Sequence, residues 1–119
     1  RSTSLWGMGK NFDRTGGFGP WMVTADELPP GAKGLKIESR INGQVLQSDN
    51  TANMMFPVAE TLVDISQGMT LEPGDVVVTG TPSGVGYPRT PPIWMKPGDI
   101  VEIDIEKVGI LRNMVEDEK

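Results

Sequence analysis

The feature that most limits what this chain can fold into is the placement of its 15 glycines and 10 prolines. They fall between short β-branched runs, not in one low-complexity block, so turns interrupt the chain too often for long helices. That pattern predicts a β-rich fold. Leu35 to Ile41 sets Leu35, Ile37, Ser39 and Ile41 against Lys36, Glu38 and Arg40, and Asn42-Gly43 then supplies two residues tolerant of positive φ before Gln44 to Ser48. This spacing predicts a hairpin with a type I′ turn. Val76 to Thr79 is an unbroken apolar run, the pattern of a strand covered on both faces, whereas Ile100 to Ile105 alternates Val101, Ile103 and Ile105 with Glu102 and Asp104. Each run follows a tight turn, Glu72-Pro-Gly-Asp75 and Lys96-Pro-Gly-Asp99, with proline preset for the second position and glycine free to take positive φ in the third. One main helix is expected at about 57–67: Pro57 suits the first turn, Val58, Leu62 and Ile65 or Ser66 share a face directed at the sheet, and Gly68 closes the end. Residues 82–94 read as an ordered loop that Tyr87, Ile93 and Trp94 anchor by packing.

Composition then narrows the function. At 119 residues the chain is one domain at most, or part of one, and its 37% hydrophobic content predicts a packed core. The formal charge of −5 argues against a nucleic-acid backbone as partner. There is no cysteine and no histidine, which removes disulfides, thiol nucleophiles, serine-type triads and HExxH zinc sites. Only Asp, Glu, Lys and Tyr87 remain to move protons. No apolar run approaches the roughly 20 residues that span a bilayer, and no signal peptide follows Arg1, so the chain reads as a cytoplasmic protein with no membrane partner. Because the first residue is Arg1 and not Met, it is expected to begin inside a longer polypeptide.

Three stretches can carry chemistry. Gly80-Thr81-Pro82-Ser83-Gly84-Val85-Gly86 follows the expected covered strand, where backbone amides and the Thr81 hydroxyl can meet a carboxylate or phosphate; the stretch lacks the lysine of a P-loop, and a plain tight turn explains it equally. Gly9-Lys10-Asn11-Phe12-Asp13 lies among glycines, and Lys10 can either project into a pocket to stabilise an enolate or carboxylate, or remain a solvated group paired with Asp13. Glu102, Asp104 and Glu106 share one side of a strand and can in principle bind a divalent cation; the wet face of an antiparallel strand explains them completely. Glu116, Asp117 and Glu118 read as a solvated tail.

Taken in order, these stretches resemble the C-terminal half of the fumarylacetoacetate hydrolase family. The resemblance rests on Gly9-Lys-Asn-Phe-Asp13, Gly19-Pro-Trp-Met-Val-Thr24, Ile41-Asn-Gly-Gln-Val45 with Gln47, Asn50-Thr51, and Met54-Met-Phe56. It continues through Leu71-Glu-Pro-Gly-Asp75, Val78-Thr-Gly-Thr-Pro-Ser-Gly-Val-Gly86 and Ile105 to Asn113. It implies a β-rich mixed α+β fold, a β-roll or sandwich with one main helix, in which residues 1–119 form the C-terminal portion of a single catalytic domain, commonly a homodimer. It also implies a small oxo or enol acid as substrate and a divalent metal, Mg²⁺, Mn²⁺ or Ca²⁺, as cofactor. Lys10 takes the place of the family lysine that faces the substrate oxygen. Thr81 takes the place of the threonine that holds the substrate carboxylate, Gly80 beside it is expected to bind substrate as well, and Gly80, Pro82 and Gly84 shape the loop. No role follows for Gln47. The metal ligands, a Glu-x-Glu pair and a later Asp, and the acid/base His and Glu are expected upstream of Arg1, so this chain alone is expected to hold no metal and to be inactive. The implied activity is hydrolysis of a carbon–carbon bond in an acylpyruvate, or isomerisation of a 2-hydroxy-dienedioate in aromatic compound catabolism. Oxaloacetate decarboxylation and a non-catalytic β-rich interaction domain are the alternatives.

Overall fold

The alternating runs at 35–48 and 100–105 fold into the strands they imply. A computed structural model describes residues 15–117. In it, β1 (Lys36–Ile41), β2 (Gln44–Asn50), β3 (Ile100–Ile105) and β4 (Gly109–Met114) form one antiparallel sheet in the order β2-β1-β3-β4. Asn42 and Gly43 take φ of 50° and 81°, so the hairpin turn is the one expected. Asn42 also ties that turn to β3: its amide nitrogen donates to Asp99 Oδ1 at 2.8 Å, and its side-chain oxygen accepts from Ile100 N at 2.8 Å. Both Pro-Gly turns form as expected. Asp75 N donates to Glu72 O and Asp99 N to Lys96 O, and each Asp carboxylate accepts in return from the backbone N–H of the first turn residue.

The β1–β2 ladder is uneven. Ser39 stands opposite Gln47 but Arg40 stands opposite Val45, so Leu46 is a bulged residue with no ladder partner.

One sheet face is charged and the other largely apolar. On the charged face Glu38 stands directly across from Asp104, a like-charge pairing that would be unfavourable alone. Arg40 resolves it, donating to Glu38 Oε2 at 2.7 Å and to Asp104 Oδ2 at 2.8 Å. Lys36 and Ser48 also contact Glu38, and Glu102 pairs with Arg112. The acidic alternation in β3 is therefore a wet face balanced by arginine. Hydrogen bonds from Lys36 first, then Arg40 and Ser48, hold the Glu38 carboxyl down at about 2. A carboxyl lowered in the folded state adds stability above its ordinary range near 4.5, and that contribution fades as the pH falls toward 2. In the full-length protein the melting-temperature gap between wild type and Glu38→Gln should accordingly narrow through this window; a gap constant down to the acid limit would disprove the coupling.

On the apolar face Ile37, Ile41, Ile103 and Ile105 are only half covered, and Trp21 lies over Gly109. Leu35 is the one apolar side chain fully buried among the described residues, at 2% exposure. The expected core is thus thin, because a single sheet with one helix does not make two packed layers around an interior. Thr51 closes the Leu35 end: its hydroxyl accepts from Leu35 N at 2.9 Å and donates to Ala32 O at 2.6 Å, while its N–H donates to Leu35 O. Leu35→Ala in the full-length protein should lower stability by about 2–5 kcal/mol, the range for emptying a buried leucine site, read as a shifted urea midpoint; an unchanged midpoint would refute this placement.

Three expectations need correction. The helix α1 (Val58–Gly68) forms with nearly the expected ends, but its main contact is the 3-10 turn at Pro30–Ala32 and not the sheet. Val58, Thr61 and Ile65 form its more covered side, with Leu62 exposed, and Gly68 is its last helical residue, followed by an extended Met69. Residues 76–79 form no strand, and Val78 is 90% exposed. A doubly covered strand needs ladder partners and layers on both faces, and neither edge of the sheet pairs with this run. Tyr87 and Trp94 do meet, edge to face at 5.7 Å between ring centres, but both are mostly exposed, so they order the loop without entering a core. No helix among the described residues is long and apolar enough to cross a membrane.

Candidate functional site

The Thr81 loop is fixed by side chains of the hairpin, not by a preceding strand as expected. On the less charged sheet face, β1 carries Ser39 and β2 carries Gln47 directly opposite. The Gln47 amide uses both ends. Nε2 donates to Pro82 O at 2.6 Å and to Thr81 Oγ1 at 2.8 Å, and Oε1 accepts from Ser39 Oγ at 2.9 Å. The bulge supplies a second link, since the Leu46 carbonyl accepts from Arg89 Nη2 while Arg89 Nε donates to Gly84 O at 3.0 Å. Gly84 allows that approach: its φ is 100°, and a Cβ there would collide with Leu46 O. Gly80, also expected to shape the loop, has open space where a Cβ would stand, and nothing in the structure explains why glycine is there.

A cleft of about 560 Å³ opens beside this loop, with Ile37 and Asp49 among its lining residues and Gly80, Thr81, Met54 and Phe56 on its walls. That size suits a small organic molecule. The Thr81 hydroxyl offers a polar contact for an anion, and Met54 and Phe56 offer an apolar flank. Asp49 lies two positions from Gln47 on the same strand face. Its carboxyl is lowered by the Asn53 amide and then the Asn50 N–H, each at 2.7 Å. A carboxylate ligand in the cleft would be repelled by Asp49 and better placed at Thr81.

The described residues do not fit a cation. No group of three His, Cys, Asp or Glu side chains converges among them, Asp49 is held by two amides, and the β3 carboxylates face arginines. Lys10, the other residue singled out from the sequence, lies with Asp13 outside the described residues. Gln47, Ser39 and Arg89 received no role from sequence reasoning. The sequence carried no signal for the pair: even pairing from the Asn42-Gly43 turn sets Ser39 opposite Leu46, and only the bulge brings Gln47 across from it.

Known proteins resemble this chain over most of its length. The family model described as "Fumarylacetoacetate (FAA) hydrolase C-terminal" matches residues 1–116. Oxaloacetate tautomerase FAHD2A, mitochondrial, of Bos taurus is 44% identical over 115 residues, which cover 97% of this chain and 36% of that protein. Among solved structures, the fumarylacetoacetate hydrolase of Exiguobacterium antarcticum superposes with a TM-score of 0.80 at 42% identity, over 85% of this chain and 36% of that one. Maleylpyruvate hydrolase from Sphingobium sp. SYK-6, in complex with manganese(II) ion and pyruvate, gives a TM-score of 0.73 at 34% identity, over 85% of this chain and 35% of that one. The chain thus spans little more than a third of the length of these relatives.

Proposed function

Since the chain belongs to the fumarylacetoacetate hydrolase family, we propose that the full-length polypeptide is an enzyme acting on 2-oxo, 2,4-dioxo or 2-hydroxy-dienoic acids through an enol or enolate. This chain supplies the part of the pocket that holds the substrate carboxylate. The observation that carries the reading is the anchored Thr81 hydroxyl on a cleft of small-acid size. In this reading Thr81 donates to the carboxylate. When C3 gives up a proton to the acid/base group expected upstream of Arg1, the electron pair of the broken C–H bond spreads onto the 2-oxo oxygen, where the Lys10 ammonium stabilises the developing charge. Carbon–carbon hydrolysis, in which water adds at C4 and the C3–C4 bond breaks, and decarboxylation, in which C4 leaves as CO₂, deliver an electron pair to C3 without that proton loss, so these two and double-bond isomerisation share one enolate. A relative named as an oxaloacetate tautomerase favours a second reading, in which the same proton shift on oxaloacetate is the whole reaction.

Dependence on Mg²⁺ or Mn²⁺ belongs to the proposal for the full-length protein, since the described residues offer no cation site; what Thr81 and Lys10 do is stated without it. The test is purified full-length protein, with Mg²⁺ or Mn²⁺ and then with EDTA, given an acylpyruvate, 2-hydroxyhepta-2,4-diene-1,7-dioate or oxaloacetate. Enol absorbance, released pyruvate and released CO₂ separate the reactions. Turnover of at least one above the spontaneous rate is expected. No turnover of any, with either metal, would leave a non-catalytic domain.

A further inference from the structure

We infer that Gln47 is a positioning residue that sets the Thr81 hydroxyl to donate into the cleft. The orientation of the Gln47 amide follows from its neighbours. The Pro82 carbonyl can only accept a hydrogen bond, so the atom 2.6 Å from it must be the amide nitrogen, and the oxygen at the other end then accepts from Ser39. Both Nε2 hydrogens are committed, one to Pro82 O and one to Thr81 Oγ1. Thr81 Oγ1 therefore receives a hydrogen bond from the sheet and cannot direct its own proton back along that line. Among the described residues no acceptor takes that proton. The hydroxyl is left as a donor on the cleft wall, the polarity a carboxylate ligand requires.

Ser39, Gln47 and Thr81 thus form a one-way chain of donors in which each group takes its sense from the one before. A merely structural role for Gln47 is separable from this, because Arg89 joins the loop to β2 independently through Leu46 O and Gly84 O. The inference rests on the reading of Thr81 as the group that meets the substrate carboxylate.

The test uses the full-length protein with the turned-over 2-oxo acid, and pyruvate as a competing ligand. Gln47→Glu presents only acceptors to Thr81 at neutral pH, so the Thr81 proton turns toward position 47. A rise of about 10- to 100-fold in KM and in the pyruvate inhibition constant is expected, with kcat changed far less, as for loss of one hydrogen bond to a charged group. Gln47→Met, which frees the hydroxyl to rotate, should raise KM less. Adding Gln47→Met to Thr81→Val should do nothing further, because the two act as one unit. Ser39→Ala, which releases only the far end of the amide, should move KM in the same direction and serves if a Gln47 variant does not fold. If Thr81→Val weakens binding while the folded Gln47 and Ser39 variants keep wild-type KM, the positioning role is overturned and the reading of Thr81 stands. If Thr81→Val leaves KM and kcat unchanged, the reading of Thr81 falls and the inference with it.

Discussion

Replacing Lys10 by alanine in the full-length protein is expected to lower kcat by about 10²–10³-fold while KM changes much less. The asymmetry follows from when the charge is needed. A 2-oxo oxygen is nearly neutral in the bound acid and becomes negative as the C3 proton leaves, so an ammonium placed against it stabilises the transition state more than the ground state. In a closed site that interaction is stronger than in water, because the effective dielectric constant is lower. Steady-state kinetics on a Lys10→Ala variant with an unchanged melting temperature is the measurement. A kcat within a few-fold of wild type would show that the family role does not carry over to this lysine.

Thr81→Val should reduce kcat/KM by about 10- to 100-fold, with most of the loss in KM. The substrate carboxylate is charged before, during and after proton transfer, so its hydrogen bond is present throughout and its removal weakens binding more than the chemical step. Valine keeps the shape of threonine and leaves the Gln47–Pro82 bond available to hold the loop. Thr81→Ser retains the donor and should stay near wild type. A valine variant near wild type beside a serine variant that loses activity would show that the methyl group matters and the hydroxyl does not.

What the sequence disclosed was mainly local. The Asn42-Gly43 turn and the two Pro-Gly turns were readable because positive φ is demanded at fixed positions and few residues supply it. The hairpin and β3 followed from strict alternation, and α1 from its spacing and flanking residues. β4 escaped because its connection has no turn signature: Lys107, not glycine or asparagine, takes φ of 62° between β3 and β4. Residues 76–79 misled for a physical reason, since an apolar run records a tendency to be covered, while coverage is a property of neighbours. Within the proposed site, Thr81 was singled out by the family resemblance, since its loop alone read as well as a plain turn. Gln47 was not, because its role depends on Ser39 opposite and Pro82 across the cleft wall, 35 residues later. The compartment was equally beyond composition: a cysteine-free chain suits the cytosol and the mitochondrial matrix alike, and the similar Bos taurus protein is named as mitochondrial.

The irregularity at Leu46 carries a lesson about engineering this scaffold. Deleting that residue would let β1 and β2 zip evenly, and a consensus-minded designer would count the straighter ribbon as an improvement. The carbonyl that now tethers Arg89 would be lost with the residue, and the neighbouring loop would keep a single mooring. Regularity in the scaffold and order in the pocket are therefore opposed at this residue, and a variant that melts later can grip its ligand less well.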